Sequence, residues 1–443
     1  MAHNPKKELI RQKRRVRGGV RVPHYKNTAD CATVELPVPG QVTIAMQQHI
    51  GRPCIPCVKK GDRVLVGDRI GDCTDGLCVP VHTGVSGQVT GITELLLPNG
   101  QSCQAVQIEA DGQQTVSDAV CPPVVENREM FLQAVKDAGL VGLGGAGFPA
   151  YIKLNPGKPV DTLVVNAAEC EPYITCDNRE ILENAQDIMR GVYAIRRYTD
   201  VQQVIFVVES NKPAAIRLLC DIAADSADAD NSVRVMRVAS RYPRGAEKLI
   251  IYAATGRKVP PGGLPADVGC IVMNVTSVGT LGRYLQTGMP LVAKRLTVDG
   301  SAVQCPMNVR VPIGTAIKDV IAFAGGYAQE PGKLLMGGPM MGIALPDDTL
   351  PVLKQNNAIL ALNKQDAESP AFSACIRCGR CIKACPMGLQ PVTVETDLRA
   401  ENIGRLQKDG VQSCMECGCC AYVCPARRPL VQSMRLAKQA LRR

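Results

Sequence analysis

The stretch CIRCGRCIKACP, residues 375–386, sets four cysteines at gaps of two, two and three and closes on proline. Nearly the same pattern returns as CMECGCCAYVCP, residues 414–425. A run of this spacing folds a tight loop that brings three thiolates around one [4Fe–4S] cube. The fourth cysteine leads into a helix with its thiolate pointing away, and where two runs occur it ligates the other run's cluster. The spacing therefore predicts one cluster on Cys375, Cys378, Cys381 and Cys424, and a second on Cys414, Cys417, Cys420 and Cys385. A pair of zinc sites is the alternative. Zinc knuckles use two CxxC pairs across a longer loop, often with histidine, and no histidine lies near either run. Cys419 falls outside the spacing and reads as a spectator beside its cluster. Two neighbouring clusters make a one-electron wire, not a catalyst.

Outward from this segment, the chain has 443 residues, enough for about three domains. Apolar residues make up 46 % and charged residues 21 %, a globular balance; with no Trp and five Phe, the cores must be built from aliphatic side chains. The 21 cysteines do not suit a disulfide framework, which belongs to small secreted chains, and no signal-peptide pattern opens the sequence. No run of 18 apolar residues occurs, so no spanning helix is expected. The net charge of +10 concentrates at the two ends. It reads as a solvated tail, or as an attraction to anionic lipid or an acidic partner. Nucleic acid is disfavoured because no aromatics interleave with the basic residues.

Residues 1–28 form a basic N-terminal arm. From 29 to 120, short apolar runs broken by Gly and Pro, such as VKKGDRVLVGDRIG and VHTGVSGQVTGI, predict a small all-β unit. These two runs resemble the halves of a biotinyl/lipoyl-type barrel-sandwich. The hairpin between them, DCTDGLCVP, lacks the lysine of a carrier, so the unit is expected to be structural. Its Cys54, Cys57, Cys73 and Cys78 have spacings that permit zinc, but small buried cysteines are common. Residues 125–290 alternate helical patterns (NREMFLQAVKDAG, KPAAIRLLCDIA, GAEKLIIYAATG) with apolar strands (TLVVNAAE, QQVIFVVES, SVRVMRVAS, GCIVMNVTS). This order predicts a parallel sheet with helices on both faces. Residues 291–348 read as a small β-grasp-like unit. The link LPVLKQNNAIL follows, and residues 366–438 hold the helical two-cluster domain. The single histidines His24, His49 and His82 carry no ligand spacing, and no Ser–His–Asp or Cys–His arrangement is apparent.

The second informative stretch is GLVGLGGAGFPAYIKL, residues 139–154. Glycines let backbone N–H groups approach a phosphate closely, and Lys153 can supply countercharge. No strand-like run precedes the loop, so the dinucleotide fingerprint fits poorly. The form GxGGAGFPxxxK resembles the flavin- and NADH-binding subunit of respiratory complex I, and more closely the C subunit of the membrane-bound Rnf complexes. The stretches VVNAAECEPYITCD, RYPRGAEKLI, TGRKVPPGGLPADVGCIVMNV and GGPMMG extend the resemblance over nearly the whole chain. The domain order fits as well: barrel-sandwich, flavin/nicotinamide domain, soluble-ligand-binding β-grasp, then two clusters.

The resemblance implies FMN in the α/β domain, with NAD(H) stacked above it. Gly142, Gly144, Gly145, Gly147, Phe148 and Lys153 match the family's loop, and Asn166, Glu169 and Glu171 its acidic stretch. Tyr242, Gly245 and Glu247 match a Y-x-x-G-x-E segment, where Ala246 replaces a second acidic residue, and Asn274 matches an asparagine near the flavin. Glu169 and Glu171 could instead cap a helix or pair with arginine. No catalytic side chain is implied, because hydride transfer needs no acid or base. The implied protein is a peripheral subunit on the cytoplasmic face of the cell membrane. It exchanges hydride with NAD(H) at FMN and passes single electrons through two [4Fe–4S] clusters. Its partners are the other subunits of an ion-translocating complex, with ferredoxin reached through one of them. Two other readings remain. A soluble flavin/iron–sulfur reductase resembling cobalamin reductase places its barrel-like module last, unlike this chain. An electron-transfer scaffold without nicotinamide binding is the other.

Overall fold

The structure is a computed structural model that describes residues 9–10, 12, 14–73, 75–224, 232–369 and 371–442. Its centre is the α/β unit. Strands Thr162–Ala167, Gln203–Glu209, Val233–Val238 and Cys270–Asn274 are nearly continuous apolar runs because both sheet faces are covered. Leu163 and Val165 face a core shared with helices Cys176–Tyr198 and Val275–Thr287, while Val164 faces helix Glu247–Thr255. All pairings are parallel, in the order Leu9–Ile10, Val233–Val238, Gln203–Glu209, Thr162–Ala167, Cys270–Asn274. The chain first winds to one side of Thr162–Ala167, then returns to add Cys270–Asn274 on the other. That reversal opens a crevice at the carboxyl ends of these two strands, the usual ligand position in such sheets.

Helices Cys176–Tyr198 and Val275–Thr287 approach so closely that glycine is required at the contacts. A methyl on Gly282 would stand 1.9 Å from the Asp187 carbonyl oxygen, and one on Gly191 would stand 2.1 Å from that of Val278. The contact fixes where the second helix begins, and its beginning lies in the crevice.

The barrel-sandwich packs a four-stranded sheet (Gln41–Ala45, Ser102–Ala110, Gly87–Leu96, Arg63–Val64) on a three-stranded one (Ile55–Pro56, Arg69–Asp72, Val81–His82). Val42, Ile44, Ile70, Val89 and Ile108 fill the space between them. The lysine-free hairpin is bridged by a Cys73–Cys78 disulfide. The Cys54 thiol donates to the Val79 carbonyl at 3.2 Å, and the exposed Cys57 donates to that of Arg69 at 3.5 Å. Two of the four thiols are thus joined to each other and the other two donate to separate carbonyls.

The β-grasp sheet reaches beyond residues 291–348. Its order is Ile343–Leu345, Pro331–Met336, Ala358–Asn363, Ala293–Asp299, Met307–Pro312, Thr33–Glu35. The end of the segment read as a link is thus a buried inner strand, paired parallel to Ala293–Asp299 and antiparallel to Pro331–Met336. One edge is supplied by three residues expected in the sandwich. Lys354, fully buried just before that inner strand, donates to the carbonyls of Pro80 (2.8 Å) and Gly139 (2.7 Å). One ammonium group thereby joins the sandwich, the α/β unit and the β-grasp unit.

Residues 1–8, 11 and 13 of the basic arm lie outside the described residues. Its remainder is a strap across the molecule, not a solvated tail. Val16 and Val20 are buried while Arg14, Arg15 and Arg17 stay exposed. Gly19 donates to the Ala384 carbonyl at 2.8 Å, and Val20 and Tyr242 exchange backbone hydrogen bonds. Lys26 donates to the carbonyls of Glu169 (3.0 Å), Glu171 (2.7 Å) and Ile174.

Candidate nucleotide and cluster sites

The crevice is built from three pieces. Asn166 and Asn274 are paired neighbours at the carboxyl ends of adjacent strands. Asn274 caps helix Val275–Thr287, its Oδ1 accepting from the N–H groups of Thr276 and Ser277. Against this cap lies the glycine loop: a methyl on Gly144 would come within 3.3 Å of the Asn274 side chain. Ser277 pins the loop, accepting from the Leu143 N–H at 2.9 Å and donating to the Val141 carbonyl at 3.2 Å. Lys294 holds the Leu143 carbonyl at 2.9 Å. The loop closes on itself through Gly142 N–H to the Phe148 carbonyl and Gly147 N–H to that of Gly142.

Between these anchors, Gly144, Gly145 and Ala146 are exposed, and their N–H groups have no hydrogen-bond partner among the described residues. Gly145 has φ +119°, and nothing lies within 4 Å of where its Cβ would be. Free N–H groups beside the start of a 13-residue helix suit the phosphate of a nucleotide-type cofactor, so the loop fits FMN on its own geometry.

Other residues expected at the cofactor have protein partners. Lys153 pairs with Glu247 at 3.1 Å and donates to the Val272 carbonyl at 3.2 Å. Asn166 donates to the Gly245 carbonyl at 2.8 Å and accepts from the Ala168 N–H. Gly245 must be glycine, since a methyl would meet the Ala168 carbonyl oxygen at 2.3 Å. Glu169 accepts from the Asp177 N–H at 2.7 Å, at the start of helix Cys176–Tyr198, and pairs with buried Lys212 at 3.0 Å. Asp177 was not singled out from the sequence. It is half-buried and accepts from Asn274 at 2.7 Å and Thr276 at 2.6 Å. Burial, with Glu169 nearby, pushes its carboxyl up to about 6. Ser277, Lys294, Lys26 and Lys212 were missed too. Their partners lay in the recognisable glycine loop and 164–177 stretch, but the four residues themselves are distant in sequence and lie in no such motif.

Glu171 and Tyr242 stand elsewhere, at the seam with the cysteine domain. Glu171 accepts from the Met340 N–H at 3.1 Å, and Gly338 is so close that a methyl would collide with the carboxylate. Burial pushes Glu171 up to about 7. Tyr242 is buried in one apolar cluster with Val20, Ala384, Cys417 and Cys419. The GGPMMG hairpin completes the seam: a methyl on Gly418 would stand 3.1 Å from the Met340 carbonyl oxygen.

Beyond the seam the eight spaced cysteines divide between two cavities. One is lined by Cys385, Cys414, Cys417 and Cys420, with Cys419 beside them; the other is lined by Cys375, Cys378, Cys381 and Cys424. Each cavity takes three cysteines from one run and the last cysteine of the other. Among the described residues no three His, Cys, Asp or Glu side chains converge as for a single ion. A cube gives each thiolate its own iron, so its ligands surround it, and each four-cysteine cavity fits that chemistry.

Four family models match the chain in order. They are the RnfC barrel sandwich hybrid domain (residues 14–113), the Nuo51 FMN-binding domain (135–283), the SLBB domain (295–344) and the 4Fe-4S dicluster domain (371–425). Together with the fold they define an electron-transfer flavoprotein of the NAD(H) oxidoreductase class that carries FMN and two [4Fe–4S] clusters. The chain is 40 % identical over 384 residues to the C subunit of the proton-translocating ferredoxin:NAD(+) oxidoreductase complex of Clostridium ljungdahlii, covering 85 % of this chain and 82 % of the relative. It is 39 % identical over 436 residues to the C subunit of the Na(+)-translocating complex of Acetobacterium woodii, covering 96 % of each. Against the C subunit of the ion-translocating oxidoreductase complex of Rhodobacter capsulatus it is 37 % identical over 433 residues, 96 % of this chain and 83 % of the relative. The chain belongs to the RnfC family, the C subunits of the Rnf ion-translocating ferredoxin:NAD(+) oxidoreductases.

Proposed function

We propose that this chain is the peripheral, cytoplasm-facing subunit through which a membrane-bound complex exchanges electrons between NAD(H) and ferredoxin while moving ions. The observation that carries the reading is the seam: Tyr242, from the α/β unit, packs against Cys417 and Cys419 of the inner cysteine cavity. When bound, FMN interconverts the two-electron hydride chemistry of NAD(H) and the one-electron chemistry of [4Fe–4S] clusters.

In this reading the N–H groups of Gly144, Gly145 and Ala146 bind the flavin phosphate. Asn274 and Asp177 fix the start of the helix that faces it. Cys385, Cys414, Cys417 and Cys420 hold the inner cluster, and Cys375, Cys378, Cys381 and Cys424 the outer one. Tyr242, Glu171 and the 337–342 hairpin exclude water between flavin domain and inner cluster. No helix among the described residues is long and apolar enough to cross a membrane, which agrees with ion passage through other subunits.

The test is anaerobic purification with flavin and iron counts, followed by NADH addition. The flavin band should bleach and the cluster absorbance should fall with it. Cluster absorbance without flavin, and without response to NADH, would instead favour a scaffold that has lost nicotinamide binding.

A further inference from the structure

The two cysteine cavities differ in what surrounds them. The inner one is closed by the seam, with Cys417, Cys419 and Cys420 buried. The outer one opens on solvent: residues 371–378 are all exposed, Cys375 and Cys378 among them. An electron leaving or entering this chain on the cysteine side must therefore cross the outer rim.

That rim is not an ordinary surface. Ile376 and Ile382, which line the cavity, are 67 % and 38 % exposed, and Phe372, whose ring lies 5.8 Å from the lining Arg428, is 57 % exposed, so large apolar side chains are exposed at this cavity. Arg377 lines the same cavity, Arg380 and Lys383 lie on the helix Arg380–Ala384 that also carries the lining residues Cys381 and Ile382, and Arg427 lies between the lining residues Ala426 and Arg428; all four are exposed and none is in an ion pair among the described residues. Neither residues 371–386 nor residues 421–430 contain an Asp or Glu. The neighbouring Arg428 is by contrast buried and satisfied by Glu395 at 2.6 Å. The four free cations thus form a single-sign patch on a surface that also exposes large apolar side chains. Transient redox interfaces combine a small contact with electrostatic attraction that orients the partners.

We infer that the rim of the outer cysteine cavity is the docking surface for an acidic face of a one-electron carrier protein. The exposed apolar side chains are dehydrated at the contact, and the cations select the partner's orientation. The inference rests on the proposed function for its electron supply. NADH gives NAD⁺, a proton and two electrons, and these leave as two successive one-electron reductions of the carrier, or enter by the reverse. An anionic bilayer is the weaker occupant, because the helix on the rim, Arg380–Ala384, has five residues and is too short to lie along a membrane.

The experiment compares the full-length chain with an Arg377→Glu/Lys383→Glu/Arg427→Glu variant. The probe is membranes that carry the remaining subunits but lack this chain. The triple variant should keep its iron, its flavin and its bleaching by NADH, yet co-sediment with the membranes at least ~tenfold more weakly. Wild-type binding should weaken as salt rises. Should the triple variant fail to load its clusters, Lys383→Glu/Arg427→Glu replaces it, with a loss of at least ~threefold expected. Variants that bind as tightly as the wild type would overturn the inference. So would wild-type binding to protein-free phosphatidylcholine/phosphatidylserine vesicles that matches its binding to the membranes and is lost in the variants. A wild-type chain that NADH does not bleach would sink the functional reading instead, while the binding comparison still reports on the rim.

Discussion

Asp177 links the chemistry of the crevice to its stability. Its carboxyl caps nothing itself; it receives Asn274 and Thr276 and so orients the residue that starts the helix facing the glycine loop. Burial raises it from 3.8 to about 6. An acid raised in the folded state favours folding in its neutral form. That contribution is full below the ordinary value and is lost as pH rises through about 6. Asp177→Asn cannot ionise and keeps one acceptor oxygen. The difference in melting temperature, wild type minus variant, should therefore fall between roughly pH 4 and 6 and level off above that. A difference that does not change with pH would contradict this assignment. Asp177 lies in a motif that the sequence displays, but its role depends on a strand and a helix about a hundred residues away, which no local pattern reveals.

At the scale of elements, the close pair of helices Cys176–Tyr198 and Val275–Thr287 positions the crevice. Gly282→Ala places a methyl where only 1.9 Å separates it from a carbonyl oxygen, so the helices must move apart. Overpacking of this kind costs about 1–3 kcal/mol. Thermal unfolding should show that loss, and flavin retention should fall with it because the helix start shifts away from the glycine loop; unchanged stability would show that the pair yields freely. The four long strands of the α/β sheet were legible because each is rich in aliphatic residues and bounded by turns, although Val233–Val238 carries Arg234 and Arg237 among its valines. Strands Leu9–Ile10 and Thr33–Glu35 were not: two or three residues give no period, and both pair with partners far along the chain. Ala358–Asn363 was hidden by the polar residues before it, which serve as domain contacts and not as a linker.

For the whole molecule, the cysteine spacing already contained the central arrangement, and the α/β unit explains its direction. The crossed division of the cysteines between two cavities was legible because a 2–2–3 spacing sends its last thiolate away from the first three. Which cavity is inner was not, because it depends on Tyr242, the 337–342 hairpin and the N-terminal strap meeting across three domains. Lys26, Lys354 and Val20 act at this scale, each holding segments that the sequence presents as separate units.

The most direct test of the account is NADH reduction of a Cys385→Ser variant, followed by absorbance and by electron paramagnetic resonance. The account predicts that the cluster of Cys414, Cys417 and Cys420 is disturbed while that of Cys375 survives and can still be reduced by dithionite. NADH should bleach the flavin of this variant yet leave the outer cluster oxidised. Loss of the Cys375 cluster with the other intact, or undiminished reduction of the outer cluster by NADH, would contradict the crossed, two-step wire.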